Sequence, residues 1–458
     1  MKINDVLTLK VEKINSEGKG ICRHNNFVVF VENACPEDLL KVKITHLTKS
    51  FAEGEIVEII KPSSHRIKPM CPLQKVCGSC QIQFIDYDYQ IELKKQIVED
   101  TKKKFLPDYP LEINMPIKSP EIKGFRHKVQ VPVRETKVSK RLLAGYFKPK
   151  SHEIINIKYC PIQTETSDKI IDFIRNEAKN YQIKGYDEDK HFGELKHIVI
   201  RSSTLNQYLV TLVINSKVFG EKYKRFAKAL MEKFDVIKGV CININPFKTN
   251  IILTEKTICL EGSEYIEEMI LDKKFKIGTN TFFQVNPKSA ENIFRYVRDY
   301  IKENYNSPTL LDAYAGVGAF GIVMSDVARK VVSIEENKSS VELGKRILKE
   351  NSIKNMEMHC EDAEKFFKKE KRQFTVTILD PPRKGCTEKS LENALKLTTD
   401  KIIYVSCNPA TLFRDLKYLI NKGAKVESVQ PFDMFVHSYH IENVAIIDVK
   451  DVNFSKSY

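Results

Sequence analysis

The sequence predicts a multi-domain α/β protein with an N-terminal β-barrel, an α+β centre and a C-terminal α/β domain built on a parallel sheet. Three observations predict it. The chain has 458 residues, enough for about three domains at roughly 150 residues each. Residues 3–60 read as regularly spaced short strands with Gly-containing turns, the pattern of a small barrel. From about Phe275 onward, strand-like runs alternate with helical stretches, which argues for βαβ units. The expected domains are 1–62, 63–270 and 271–458.

In the first stretch, strands are expected at Val6–Ile14, Phe27–Val31, Leu40–Leu47 and Phe51–Ile60, broken by Glu-Gly-Lys-Gly (17–20) and Asn-Ala-Cys-Pro (33–36). About 60 residues of this kind suit an oligonucleotide-binding barrel. Lys61-Pro62-Ser63-Ser64 reads as a linker. Asp88–Phe105 reads as a charged amphipathic helix. In the centre, strands are expected at Lys128–Val133, Leu142–Phe147, Glu153–Ile157, His197–Ser202 and Tyr208–Ile214. Helices are expected at Ser167–Asn180 and Lys222–Phe234. The last stretch offers strands at Leu310–Ala313, Lys330–Glu335, Met356–Cys360, Val376–Asp380 and Ile402–Ser406. Two adjacent strands, Val426–Asp433 and Ile441–Val449, close it.

Composition narrows the function classes. With 42% hydrophobic residues the chain can bury real cores. No segment approaches the ~18 consecutive apolar residues of a membrane span. The start, Met-Lys-Ile-Asn-Asp-Val, lacks the apolar run of a signal peptide, so a cytoplasmic location is expected. The formal net charge is +14, and residues 61–160 hold 20 Lys and Arg against 10 Asp and Glu. A block that basic suits a polyanion, although a solvated Lys-rich face reads the same way. The 11 cysteines are an odd number without secretory context, which favours metal binding or catalysis over a disulfide framework.

Leu-Asp-Ala-Tyr-Ala-Gly-Val-Gly-Ala-Phe (311–320) is a strand end, a glycine loop and a helix start. Gly316 and Gly318 would let a ligand approach the backbone closely. Glu335 ends the next strand, 23 residues after Asp312, where a carboxylate grips a ribose diol. Asp362 ends the following strand and is placed for an adenine. In Asp380-Pro381-Pro382-Arg383 the stiff prolines hold Asp380 at the carboxyl edge of the sheet. A bare glycine loop is a weak signal, since a tight strand–helix turn looks the same.

Cys407 lies in Tyr-Val-Ser-Cys-Asn-Pro-Ala-Thr (404–411) and Glu442 in His-Ser-Tyr-His-Ile-Glu (437–442). Asn408 reads as an N-cap and Pro409 as the first helical residue. A thiol at a helix N-terminus is held more readily as thiolate. With Phe282-Phe283-Gln284-Val285-Asn286, these motifs resemble the RNA uracil-C5 methyltransferases that use S-adenosylmethionine. The resemblance covers nearly the whole chain, and residues 1–62 look like a TRAM domain, an RNA-binding barrel. It implies a Rossmann-like catalytic domain, Cys407 as nucleophile and Glu442 as base. Gln284, Tyr314, Glu335 and Asp380 become cofactor contacts, with Gly316, Gly318 and Asp362 completing the half-site. Arg383 and His437 are candidates for substrate contacts. Ala315 and Val436 depart from the family's usual cysteine and proline.

Cys71-x5-Cys77-x2-Cys80, with Cys160-Pro161, offers four thiolates for Zn²⁺ or an iron–sulfur cluster. The resemblance implies a [4Fe–4S] cluster, with zinc as runner-up, pinning the basic segment Gly124-Phe125-Arg126-His127-Lys128 against RNA. Relatives with this architecture imply 23S rRNA as substrate, with the T-loop of tRNA as alternative and no protein partner required. Two other readings stay open. A non-enzymatic RNA-binding factor would need neither Cys407 nor Glu442. An amino-methyltransferase, suggested by Asp-Pro-Pro, would leave Cys407 unused.

Overall fold

The computed structural model describes residues 1–136 and 138–452, so the end of the third expected domain, 453–458, lies outside the described residues. The chain divides into two compact units, each discontinuous in sequence. One comprises Met1–Ser119, Arg383–Gly385 and Val405–Ile447; the other comprises Pro120–Pro382, Cys386–Tyr404 and Asp448 onward.

The first unit opens with β1 (Val6–Ile14), β2 (Gly20–His24), β3 (Phe27–Val31), β4 (Leu39–Leu47) and β5 (Phe51–Lys61), closed as a barrel in the order β1-β2-β3-β5-β4. Alternate residues such as Leu9, Val11, Val29, Val31, Leu40, Val42 and Ile44 fill it, as a period of two requires. Sequence reasoning missed β2. Its five residues begin with Gly and end in Arg-His, so no apolar alternation marks them. The signal was the turn: Asn25 and Asn26 both have positive φ, 49° and 64°, which suits a tight hairpin.

Helix α1 (Tyr87–Phe105) follows. Asp86 caps it by accepting from the Tyr89 N–H, and Lys102, Lys103 and Lys104 sit in its last turn, complementing the helix dipole at both ends. Ile14 and Cys35 of the barrel share one apolar cluster with Ile82, Phe84, Ile85, Leu93 and Ile97. Barrel and helix are therefore a continuous core.

In the second unit, β6 (Lys128–Glu135), β7 (Leu142–Phe147), β8 (Ile154–Asn156), α2 (Glu165–Glu177), β9 (Leu195–Ser202), β10 (Tyr208–Ile214), α3 (Glu221–Lys233), β11 (Ile237–Ile244) and β12 (Thr257–Gly262) make a sheet in the order β12-β11-β10-β9-β6-β7-β8. Ile170 and Ile174 of α2, and Phe226 and Leu230 of α3, bury the Val129, Ile200 and Val210 face. Next come the hairpin β13 (Tyr265–Ile270) and β14 (Lys273–Gly278), then α4 (Pro287–Asn304), capped by Asn286.

The parallel region is β15 (Thr309–Ala313), α5 (Ala319–Met324), β16 (Lys330–Glu335), α6 (Lys338–Glu350), β17 (Met356–Cys360), α7 (Ala363–Lys369), β18 (Phe374–Leu379), α8 (Glu388–Leu397) and β19 (Thr398–Ser406). Its strands run β17-β16-β15-β18-β19, each neighbour parallel. The last two residues of β19 belong to the first unit, which continues with α9 (Pro409–Asn421), β20 (Lys425–Phe432) and all but the last residue of β21 (Glu442–Asp448), the neighbour of β20. Among the described residues no helix is long and apolar enough to cross a membrane.

Candidate active site

The cofactor half-site belongs to the second unit. After β15 the backbone turns through Tyr314, Gly316 and Gly318, all at positive φ (61°, 58° and 84°). The two glycines serve different ends. A Cβ on Gly316 would meet nothing within 4 Å, whereas one on Gly318 would strike Met356 Cε at 2.8 Å. Gly316 thus leaves free space over its backbone, and Gly318 makes room for packing. Glu335, at the end of β16, accepts the Gly316 N–H (2.9 Å) on Oε2 and the Asn337 N–H (2.8 Å) on Oε1. The carboxylate fixes the shape of the loop as well as standing beside it.

Asp312 went unassigned in the sequence. It is fully buried; its Oδ2 accepts from the Gly321 N–H (3.0 Å) and from Ser333 Oγ (2.8 Å). Its Oδ1 has no partner among the described residues. Burial pushes its carboxyl up to about 7. Asp380, just past β18 and intermediate in exposure, is also pushed up to about 7, first by desolvation and then by the charge of Asp312. Tyr314 lies against Cys386, its hydroxyl 3.8 Å from the sulfur; burial raises its ionisation above the usual phenol range. Asp362 is past the end of β17 and caps α7 by accepting the Lys365 N–H (3.0 Å), which occupies one oxygen. Gln284 is half-buried; next to it Phe283 is packed against Phe275, while Phe282 stands 65% exposed. Free space over Gly316, with the Glu335 carboxylate bonded to its N–H, fits a nucleoside cofactor lying on the loop.

Cys407 and Glu442 belong to the first unit. Cys407 is half-buried in the bend between β19 and α9. Asn408 caps α9, accepting the Ala410 N–H (3.1 Å), and Pro409 opens the helix. The Asn408 amide also donates to the Arg383 carbonyl (3.2 Å), so Arg383 is tied to the turn that carries Cys407. Glu442 opens β21 and is 4% exposed. Asn443, fully buried, donates to the carbonyls of Ser406 (3.2 Å) and Ile441 (3.3 Å). These are the residues immediately before Cys407 and Glu442. One amide therefore sets the spacing of the two chain segments that carry the candidate nucleophile and base.

Helix α1 holds the segment leading to Glu442. Lys94 and Asp433, both with 0% side-chain exposure, pair at 2.5 Å, and Lys94 also donates to the Phe435 carbonyl (3.0 Å). Tyr87 donates to the other Asp433 oxygen (2.9 Å). His437, buried and at φ 64°, meets Gln90 through Nδ1 (3.3 Å), and its carbonyl accepts the Ile82 N–H (3.0 Å). These partners fix the loop at His437 in place. His440 is held neutral, pushed down to about 4 by burial and then by Arg383 and Lys94.

The cysteine expectation fares differently. Leu73 accepts the Cys77 N–H (2.8 Å), and Gln83 accepts the Cys71 N–H (2.8 Å). Burial and then the nearby Cys77 raise the Cys71 thiol. Yet among the described residues no group of three or more His, Cys, Asp or Glu could hold a metal ion. Cys160 belongs to the second unit and the other three to the first. A groove of about 1570 Å³ beside α2, lined by Arg141, Tyr159, Arg175 and Phe192 among others, contains none of the candidate site residues.

The family model for tRNA (Uracil-5-)-methyltransferase matches residues 146–450, and that for the TRAM domain matches residues 2–57. An uncharacterized RNA methyltransferase of Halalkalibacterium halodurans is 33% identical over 452 residues, 98% of each chain. Another, from Clostridium acetobutylicum, is 35% identical over 453 residues, again 98% of each. The fold is similar to the crystal structure of Pyrococcus abyssi tRNA (uracil-54, C5)-methyltransferase in complex with S-adenosyl-L-homocysteine, with a TM-score of 0.77, 24% identity, and coverage of 96% of this chain and 100% of that one. The chain thus belongs to the tRNA (uracil-5-)-methyltransferase family, as an S-adenosylmethionine-dependent RNA methyltransferase with an N-terminal TRAM domain.

Proposed function

We propose that this enzyme methylates C5 of a uridine in 23S rRNA, through a covalent bond between the Cys407 sulfur and C6 of the base, with Glu442 as the base that removes the C5 proton. The observation that carries the reading is Asn443, which bonds the carbonyls just before both residues. Uracil C5 is a poor nucleophile. Addition of the Cys407 thiolate to C6 breaks the C5–C6 double bond and moves its electron pair into the enolate through C4. C5 then takes the methyl group, and S-adenosylmethionine, when bound, supplies it as a sulfonium. Glu442 takes the C5 proton, the C5–C6 double bond re-forms, and the Cys407 thiolate leaves. Gln284, Tyr314, Gly316, Gly318, Glu335, Asp362 and Asp380 would hold the cofactor, with Gly316 leaving its backbone open to close approach. Arg383, tied to Asn408, would face the RNA.

The test uses 23S rRNA and tRNA transcripts made with 5-fluorouridine and incubated with the enzyme and S-adenosylmethionine. Fluorine at C5 cannot leave as a proton, so an adduct on Cys407 should accumulate, mapped by mass spectrometry and by sequencing the trapped RNA. Trapping on tRNA alone would overturn the rRNA assignment and favour a tRNA substrate, the class that the family's name carries. Tight RNA binding with no adduct would overturn the chemistry and leave a binding factor or an amino-methyltransferase.

A [4Fe–4S] cluster on Cys71, Cys77, Cys80 and Cys160 is supported by their spacing and by the closeness of Cys71 to Cys77. No step above passes through it. Protein purified without air should carry about four iron and four sulfide per chain if it is present. Zinc without sulfide, or neither metal, would remove the cluster from the reading.

A further inference from the structure

Arg201 lies on β9, and its Cα partner across the antiparallel ladder is Lys128 of β6. Like charges directly opposite in a sheet repel. Here they do so without a counter-ion. Arg201 is 3% exposed, and its Nε and Nη2 are buried with no hydrogen-bond partner. Among the described residues, no hydrogen bond or ion pair is made by the side chain of Arg201 or of Lys128. Arg126, two residues earlier on the same chain, donates its Nε to the Lys128 carbonyl (3.1 Å), adding a third cation. Burial first, and then Arg201 and Arg126, push the Lys128 ammonium down to about 8, and burial pushes Arg201 down to about 10.

The nearby carboxylates are engaged elsewhere. Glu121 pairs with Lys288 (2.6 Å), and Glu268 accepts from the Thr204 and Met269 amides. The opposite face of these strands, Val129 and Ile200, is in the hydrophobic core, so Lys128 and Arg201 share the other face. His127, between Arg126 and Lys128 at the start of β6, accepts the Ser202 N–H (2.9 Å) on its carbonyl and donates its own N–H to the Val285 carbonyl (2.7 Å). The cationic cluster is thereby held beside the segment that carries Gln284. A buried guanidinium with free donors is costly to keep unless an anion meets it. Its planar fork matches phosphate oxygens, and a lysine adds a point charge.

We propose that Arg201, Lys128 and Arg126 form a recessed site for one backbone phosphate of the RNA substrate. This rests on the RNA reading above and adds where, in the central domain, the strand is gripped. The experiment measures binding of a short oligouridylate to full-length wild type, Arg201→Met, Arg201→Lys and Lys128→Met across a range of KCl. Losing one phosphate contact should flatten the slope of log K against log salt by about 0.7 in Arg201→Met and in Lys128→Met. Arg201→Lys should keep most of the slope. A neutral methylphosphonate linkage at one position should weaken wild type and leave Arg201→Met unaffected. Because an unpaired buried charge is removed, Arg201→Met should also melt at a higher temperature than wild type in the absence of RNA.

A variant that melts lower and keeps the wild-type slope marks a structural arginine and overturns the proposal. Inorganic phosphate that stabilises wild type but not Arg201→Met, with the oligouridylate slope unchanged, assigns the site to a free anion and overturns the RNA assignment. Equal slopes beside an intact Cys407 adduct sink the phosphate site alone; no RNA binding and no adduct sink the RNA reading with it.

Discussion

Asp312, fully buried, and Asp380, half-buried, are two interacting carboxyls, and both are pushed up to about 7 from 3.8. The unfolded chain gives up these protons near the ordinary carboxylate range, while the folded protein keeps them longer. Stability is therefore lost as pH rises from about 4 through about 7, and the full cost stands above it. Because the two groups interact, the titration belongs to the pair. The ligand-free enzyme should melt at a lower temperature near pH 8 than near pH 5, and Asp312→Asn should flatten that decline; an unchanged profile would show that the pair does not titrate. Cys407 and Glu442 stand out as candidates in the sequence because each sits in a run of characteristic neighbours. Asp312 was not, since an aspartate at a strand end reads as any other until its burial is known. Gly316 and Gly318 looked alike as letters; only the surrounding methionines separate a glycine over open space from one under packing.

At the scale of elements, the strands and helices with clear periodicity were legible, with ends shifted by a few residues. The four strands β11 to β14 went unassigned. Those of β12, β13 and β14 mix charged and apolar residues, such as Tyr-Ile-Glu-Glu-Met-Ile, in a way that suits hairpins and helices alike. Nor does any local pattern announce that α1 supports the segment before Glu442. Its fully buried Lys94 sits in a helix whose sequence is charged throughout, and its partner Asp433 is 339 residues away. Breaking such a pair strands a charge in the interior. Lys94→Met should cost ~3–5 kcal/mol of stability in urea unfolding, and adding Asp433→Leu should restore much of it. A Lys94→Met enzyme as stable as wild type would mean that the pair is not load-sharing in solution.

At the scale of the molecule, the net charge of +14 and its basic middle were visible in composition, while the partition into units was not. Cys407 and Glu442 group with the first 119 residues rather than with the glycine loop at 314–318, which is nearer to them in sequence. The segment 113–117 even adds bridges to β20 at Val429 and Phe432. Partitions of this kind depend on contacts across hundreds of residues, to which periodicity is blind. They also carry a consequence for the order of events during synthesis. Lys94 leaves the ribosome 339 residues before its acid partner, a delay of roughly 20–70 s at 5–20 residues per second. Throughout that interval α1 has a face waiting for its cover, and the methyl-transfer apparatus has no final form. Nascent chains arrested before Asp433 should therefore be cut by protease within Tyr87–Phe105, and chains arrested far enough beyond Glu442 for it to clear the exit tunnel should be protected there. Equal cutting in both would mean that α1 is stable without its late partner.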